Sequence, residues 1–183
     1  GVLIHRFDRV ESFPLLDSFT TAGANASVAL DTHETLTILR VSWQRQPQDP
    51  DTVRVVLAMP PRAIEGRGGR FVLAIVGDAS GASIGLDAAD AGSGGFAYEL
   101  GRVNRAGPCS LEVNVDPPTR WWASREQDQR SGVLWPVTPH RLCIELPRIC
   151  QACTIGLTSL HISGEVFLVP SGLAEGPMAR KTE

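Results

Sequence analysis

The chain has 183 residues, 43% hydrophobic and 20% charged, with a net charge of −3 from 17 basic and 20 acidic side chains. That length and apolar content suffice for one compact domain with its own core and exclude a disordered chain. The charge balance supplies no polybasic footprint for nucleic acid or an anionic membrane surface, and no apolar run approaches the roughly 18 residues of a membrane span.

The sequence opens Gly-Val-Leu-Ile-His-Arg-Phe, without Met or a signal peptide, as a processed chain or an excised domain would. Short apolar segments then follow one another, punctuated by Gly, Pro, Asn and Asp. Candidate strands cover residues 2–7, 26–30, 34–43, 53–59, 70–76, 82–87, 96–100, 109–115, 140–146, 154–162 and 165–169. Strands this short and this evenly spaced indicate a sandwich or a barrel. Residues 15–22 have room for a helical turn, and no longer helix is expected. Residues 46–51 and 64–69 read as connecting loops, with Gly66, Gly68 and Gly69 suited to positive φ. Residues 71–76 are apolar on both faces and predict a central strand covered on both sides.

Alternation is clearest in two places. Leu111, Val113 and Val115 alternate with Ser110, Glu112 and Asn114, and Leu142, Ile144 and Leu146 alternate with Arg141, Cys143 and Glu145. Both segments predict half-buried antiparallel strands, and their apolar residues, with Leu73 and Ile75, are the expected core. The reading is one all-β domain over residues 1–170 with a tail over 171–183.

Gly77-Asp78-Ala79-Ser80-Gly81 joins two strands and predicts a tight hairpin. None of the familiar nucleophile, zinc-protease or phosphate-loop motifs is present, and no catalytic residue is assigned. The histidines His5, His33, His140 and His161 lack metal-ligand spacing. Four cysteines occur, at 109, 143, 150 and 153. A zinc site would need all four to converge, yet strand parity puts Cys109 on an apolar face and Cys143 on a polar one. Cys150-Gln-Ala-Cys153, read as part of a hairpin connection, lacks the helix of a thioredoxin-type redox pair. A local Cys150–Cys153 disulfide in an oxidising compartment is the leading expectation, with pairing of either to Cys109 or Cys143, or four free thiols, as the alternatives.

Trp43 ends a strand and is assigned to the core. Trp121 and Trp122 are adjacent, so in a strand they point to opposite faces. They lie in the polar segment Arg120-Trp-Trp-Ala-Ser-Arg-Glu-Gln-Asp-Gln-Arg130, which leads toward Trp135. Either the indoles plug one end of the sandwich, or one of them is a platform on which a sugar stacks. In the second case Arg120, Arg125, Glu126 and Asp128 would direct hydroxyl groups, with Trp135 nearby.

The order of these segments resembles the galactose-binding-domain-like jelly rolls, the fold of many carbohydrate-binding modules. The resemblance is carried by the apolar strand 71–76 with Gly77-Asp-Ala-Ser-Gly81, then Asp90-Ala-Gly-Ser-Gly-Gly-Phe-Ala-Tyr98, the approach Gly132-Val-Leu-Trp-Pro136, and Gly156-Leu-Thr-Ser-Leu-His-Ile162. It spans residues 2–169 and implies an antiparallel two-sheet jelly-roll sandwich. It also implies a noncatalytic carbohydrate-binding module of a larger extracellular or membrane-anchored carbohydrate-active protein, placed outside the cell or at its surface. The implied partners are carbohydrate and neighbouring domains of the same polypeptide, with no nucleic acid and no membrane insertion. A structural or protein-interaction sandwich without a sugar site is the alternative. Such modules sometimes hold calcium between their first and last strands. Here Asp8 and Glu11 meet His161, Ser163 and Glu165, too few carboxylates for six to eight oxygen ligands, so no cofactor is expected.

Overall fold

The structure, a computed structural model, describes residues 1–16, 25–92, 94–121 and 132–170. These form strands β1 (Val2–Arg6), β2 (Ala26–His33), β3 (Leu36–Gln44), β4 (Val53–Ala58), β5 (Ile64–Arg67), β6 (Arg70–Gly77), β7 (Ser83–Ala89), β8 (Gly95–Arg102), β9 (Gly107–Asn114), β10 (Arg120–Trp121), β11 (Thr138–Leu146), β12 (Ala152–Ile162) and β13 (Glu165–Leu168). One sheet runs β2-β3-β12-β6-β9, with β1 also on β12; the other runs β10-β8-β7-β11-β4; β5 and β13 form a small separate ladder. Every pairing is antiparallel. This is the all-β, two-sheet jelly-roll sandwich expected from the sequence.

The period-2 pattern decides which face each strand buries. Leu39, Val41 and Trp43 of β3, Phe71, Leu73 and Ile75 of β6, and Ile155, Leu157, Leu160 and Ile162 of β12 form one inner face. Val53, Val55 and Leu57 of β4, Ile84, Leu86 and Ala88 of β7, Phe96, Tyr98 and Leu100 of β8, and Leu142, Ile144 and Leu146 of β11 form the other. Each large side chain so buried stabilises the fold by about 1.5–3 kcal/mol. Phe71, Tyr98, Phe96 and Trp121 stack edge to face in series, with centroids 5.1, 5.5 and 5.1 Å apart. The Tyr98 hydroxyl, carried deep among them, donates to Val115 O at 2.6 Å, which satisfies it without water. Of the expected core residues, Leu73, Ile75, Val115, Leu142 and Ile144 are buried, whereas Leu111 and Val113 are half-buried because β9 is a sheet edge.

Five sequence expectations are corrected. Residues 64–67 are strand β5, not loop: with Gly66 at φ 140° the backbone approaches β13 where a side chain would strike Glu165. The Gly77–Gly81 segment is not a hairpin, because β6 and β7 lie in different sheets and the turn crosses between them. Asp78 holds that crossing: Oδ1 accepts from Ser80 N at 3.1 Å, and Oδ2 accepts from Thr154 N of β12 at 2.6 Å. The link carrying Cys150, which leads to Cys153 in β12, likewise crosses from β11 in one sheet to β12 in the other and is not a hairpin. The Cys150–Cys153 disulfide is absent, and all four cysteines are free. Cys150 donates from Sγ to Ala152 O at 3.2 Å, while Cys153 sits opposite Trp43 and faces the core. Finally, β6 is central by pairing, but Val72 and Ala74 on its outer side remain partly open. The segment considered for a helical turn begins with Leu15 bridged to Leu57; residues 17–24 lie outside the described residues.

Candidate functional site: a trough on the five-stranded sheet

The outward positions of the five-stranded sheet alternate with its core positions and should be polar where the face meets water. Along the middle strand β7 they are unusually small: Ser83 and Gly85 precede Asp87. On β8 the neighbours are Ala97 and Glu99, and on β11 they are Arg141, Cys143 and Glu145. Small residues on the middle strand and long ones on its neighbours make a trough of about 370 Å³. Arg102, Glu99, Thr119 and Arg120 stand on one side, and Arg54, Cys143 and Glu145 on the other. The pairing of β7 with β8 shifts register between Ile84 and Gly85, on this floor. A Cβ at Gly85 would lie 3.1 Å from Tyr98 O, so glycine suits the bend as well as the open space.

Register places the charges in rows across the strands. Asp87 is flanked by Ala97 on β8 and Arg141 on β11, and Arg120 of β10 lies beyond Ala97. Asp87 is only 6% exposed, and one of its oxygens lies 3.3 Å from Arg141 Nη2. Taking a carboxylate this far from water costs several kcal/mol unless a partner offsets it, and Arg141 supplies that partner. At the other end Arg54 Nε lies 3.5 Å from Glu145 Oε1 and donates to Cys143 Sγ at 3.3 Å. Burial pushes the Cys143 thiol up, and the adjacent Arg54 guanidinium opposes that shift. Asp87 at one end of the trough, and Arg54 with Glu145 at the other, are thus held by ion pairs before any ligand arrives.

Of the residues singled out from the sequence, Arg120 lines this trough. Its neighbour Trp121 points the other way, 8% exposed and edge-on to Phe96 at 5.1 Å. Trp135 is half-buried against the core. Trp122, Arg125, Glu126 and Asp128 lie outside the described residues. Sequence reasoning did not single out Arg54, Ser83, Asp87, Glu99, Arg102, Cys143 or Glu145 as site residues. The available signal was the polar phase of the alternating strands, visible in Arg141-Leu-Cys-Ile-Glu145, but only pairing shows that these phases share one face.

No family model matches the chain, and no curated protein matches it. Solved structures do. The family 11 carbohydrate-binding module from Clostridium thermocellum, in complex with a β-1,3-1,4-mixed-linked tetrasaccharide, superposes with a TM-score of 0.56 at 12% identity, over 90% of this chain and 95% of that one. An exo-β-agarase superposes with a TM-score of 0.55 at 12% identity, over 93% of this chain but 26% of the agarase. At such identities the likeness speaks for the fold alone, a two-sheet jelly-roll sandwich that this chain shares with that module.

Proposed function

We propose that this chain is a noncatalytic carbohydrate-binding module that takes a glycan in the trough over β7. It would serve a larger carbohydrate-active protein outside the cell or at its surface, beside other domains of the same polypeptide. The observation that carries the reading is Asp87, a nearly buried carboxylate kept on the floor of an open trough and held by Arg141. A sugar hydroxyl both donates and accepts, so a row of carboxylates and guanidinium groups suits it. Asp87, Glu99 and Glu145 accept from hydroxyls, and Arg54, Arg102 and Arg120 donate to them. Trp122, which follows the trough residue Arg120 by two positions, is assigned the stacking platform, with Arg125, Glu126 and Asp128 as further polar partners. A small polar ligand buries little apolar area, so affinity at one trough is weak.

The test is a glycan array probed with the intact chain and with Asp87→Ala. Binding by the wild type that the variant loses supports the reading. No binding to any glycan on the array by well-folded protein overturns it in favour of an interaction sandwich without a sugar site.

A further inference from the structure

An unpaired strand edge offers a row of free N–H and C=O groups, and proteins blunt such edges with short strands, charge, proline or covering segments. Edges β10, β4 and β9 of the two principal sheets are blunted in this way. β10 is two residues long. β4 is covered by the N-terminal segment: Leu16 N donates to Val56 O at 2.9 Å, and Ala58 N donates to Pro14 O at 3.0 Å. β9 carries the exposed Pro108, which offers no N–H to a further strand.

Among the described residues, the edge strand β2 has none of these devices. It is eight residues long, Ala-Ser-Val-Ala-Leu-Asp-Thr-His, and pairs with β3 in unbroken register. It contains no proline, lysine or bulge. Its acidic residue, Asp31, is neutralised by Arg40 at 2.7 Å. Leu30 is 45% exposed, and among the described residues no strand lies beyond β2.

We propose that β2 pairs antiparallel with β2 of a second copy about a two-fold axis at Ala29, joining two six-stranded sheets into one. The sequence is self-complementary in that register. Val28 falls opposite the partner's Leu30, and Ser27 falls opposite the partner's Asp31. The hydroxyl then donates to the carboxylate, and no like charges meet. Val28 and Leu30 lie on the core side of the sheet, beside Val41 and Leu39 of β3, so their contact extends the apolar layer across the axis. An axis at Asp31 would set two carboxylates face to face.

The arrangement leaves the trough open. The trough belongs to the other sheet, and its wall β8 packs beneath β9, the edge opposite β2. Two copies joined at β2 therefore present two troughs on one particle. Weak single-site binding would then be multiplied by a high local concentration of the second site.

The test is sedimentation velocity of the full chain from micromolar to millimolar concentration, with two variants. The wild type should show a monomer–dimer equilibrium, and Leu30→Lys should abolish the dimer while leaving the melting temperature unchanged. Ala29→Cys should form a disulfide-linked dimer on mild oxidation, because residue 29 faces its own copy within the 4.4–6.8 Å Cα separation that disulfides span. Thr37→Cys, exposed on β3, should not. A wild type that stays monomeric with no Ala29→Cys cross-link overturns the proposal, as does a dimer that survives Leu30→Lys. Neither result depends on glycan binding.

Discussion

The guanidinium carbon of Arg45 lies 5.1 Å from the ring centroid of Trp43, two residues earlier in the chain. From that position Arg45 Nε donates to Cys150 O at 2.9 Å, Nη1 to Pro50 O at 2.7 Å, and Nη2 to Pro147 O at 2.9 Å and Asp51 O at 3.2 Å. One side chain thus ties the loop after β3 to the link that carries the chain from β11 to β12. Its planar fork matches four carbonyls at once, which an ammonium group does not. Arg45→Ala is expected to lower stability by about 2–4 kcal/mol in urea unfolding, with several carbonyls left without donors. Arg45→Lys should recover less than half of that loss. Full recovery would show that charge alone suffices.

His5 sets an acid limit. It is 5% exposed, packed edge-on to Phe13 at 5.6 Å, and its Nε2 has no hydrogen-bond partner. Burial and the nearby Arg62 lower its pKa from 6.5 to about 4. The unfolded chain takes up a proton below pH 6.5, while the folded chain resists it until about pH 4. Stability is therefore full above 6.5 and falls as pH drops through this window, by up to about 3 kcal/mol. His5→Leu should flatten that slope relative to wild type. An unchanged slope between pH 6.5 and 4 would remove His5 as its cause.

Leu73 and Val113 lie on paired strands, β6 in the sheet interior and β9 at its edge. Leu73→Ala leaves a cavity in closed surroundings and is expected to cost about 2–5 kcal/mol. Val113 is half-buried, and Val113→Ala should cost only about 1 kcal/mol. Equal losses in denaturant titrations would contradict this difference between centre and edge.

The trough can be closed without touching its charges. Ala97 lies on the trough surface between Asp87 and Arg120. Ala97→Trp should fill that space and weaken glycan binding by at least about tenfold, or 1.4 kcal/mol, with an unaltered far-ultraviolet spectrum. Retained affinity in titration calorimetry would place the ligand elsewhere.

Thiol chemistry should follow exposure. Cys109 is half-buried, whereas Cys143, Cys150 and Cys153 are buried, and burial pushes Cys153 up to about 12. Alkylation of native protein is expected at Cys109 first. Four thiols should appear on denaturation without reductant, and reductant should leave the melting temperature unchanged. Two missing thiols would restore the disulfide.

The sheet strands were legible because their alternation is written in neighbouring residues, as in Leu142-Cys-Ile-Glu-Leu146. Which strands share a sheet was not. The Gly-Asp-Ala-Ser-Gly turn has hairpin chemistry, yet it passes between sheets, because Asp78 finds its anchor 76 residues away at Thr154. β5 was hidden because Gly66 serves a close backbone approach, while Gly68 and Gly69 just beyond it make the turn. Trp121 drew attention as an aromatic in a polar segment, but its indole completes the Phe96 stack. Asp87 did not stand out, since an aspartate ending a strand reads as ordinary until its burial is known.

β12 touches three strands at once: β3 along residues 152–157, β1 along 159–162, and β6 on its other side. The six-stranded sheet therefore lacks its middle until nearly the whole domain has been synthesised. β1, and the edge of β3 that faces away from β2, must remain unpaired while more than a hundred residues emerge, and closing such distant pairs is slow. A nascent chain stalled before residue 152 would expose the apolar faces of β3 and β6 together. The domain should depend on holdase chaperones during synthesis, and it should tolerate no C-terminal deletion that reaches β12.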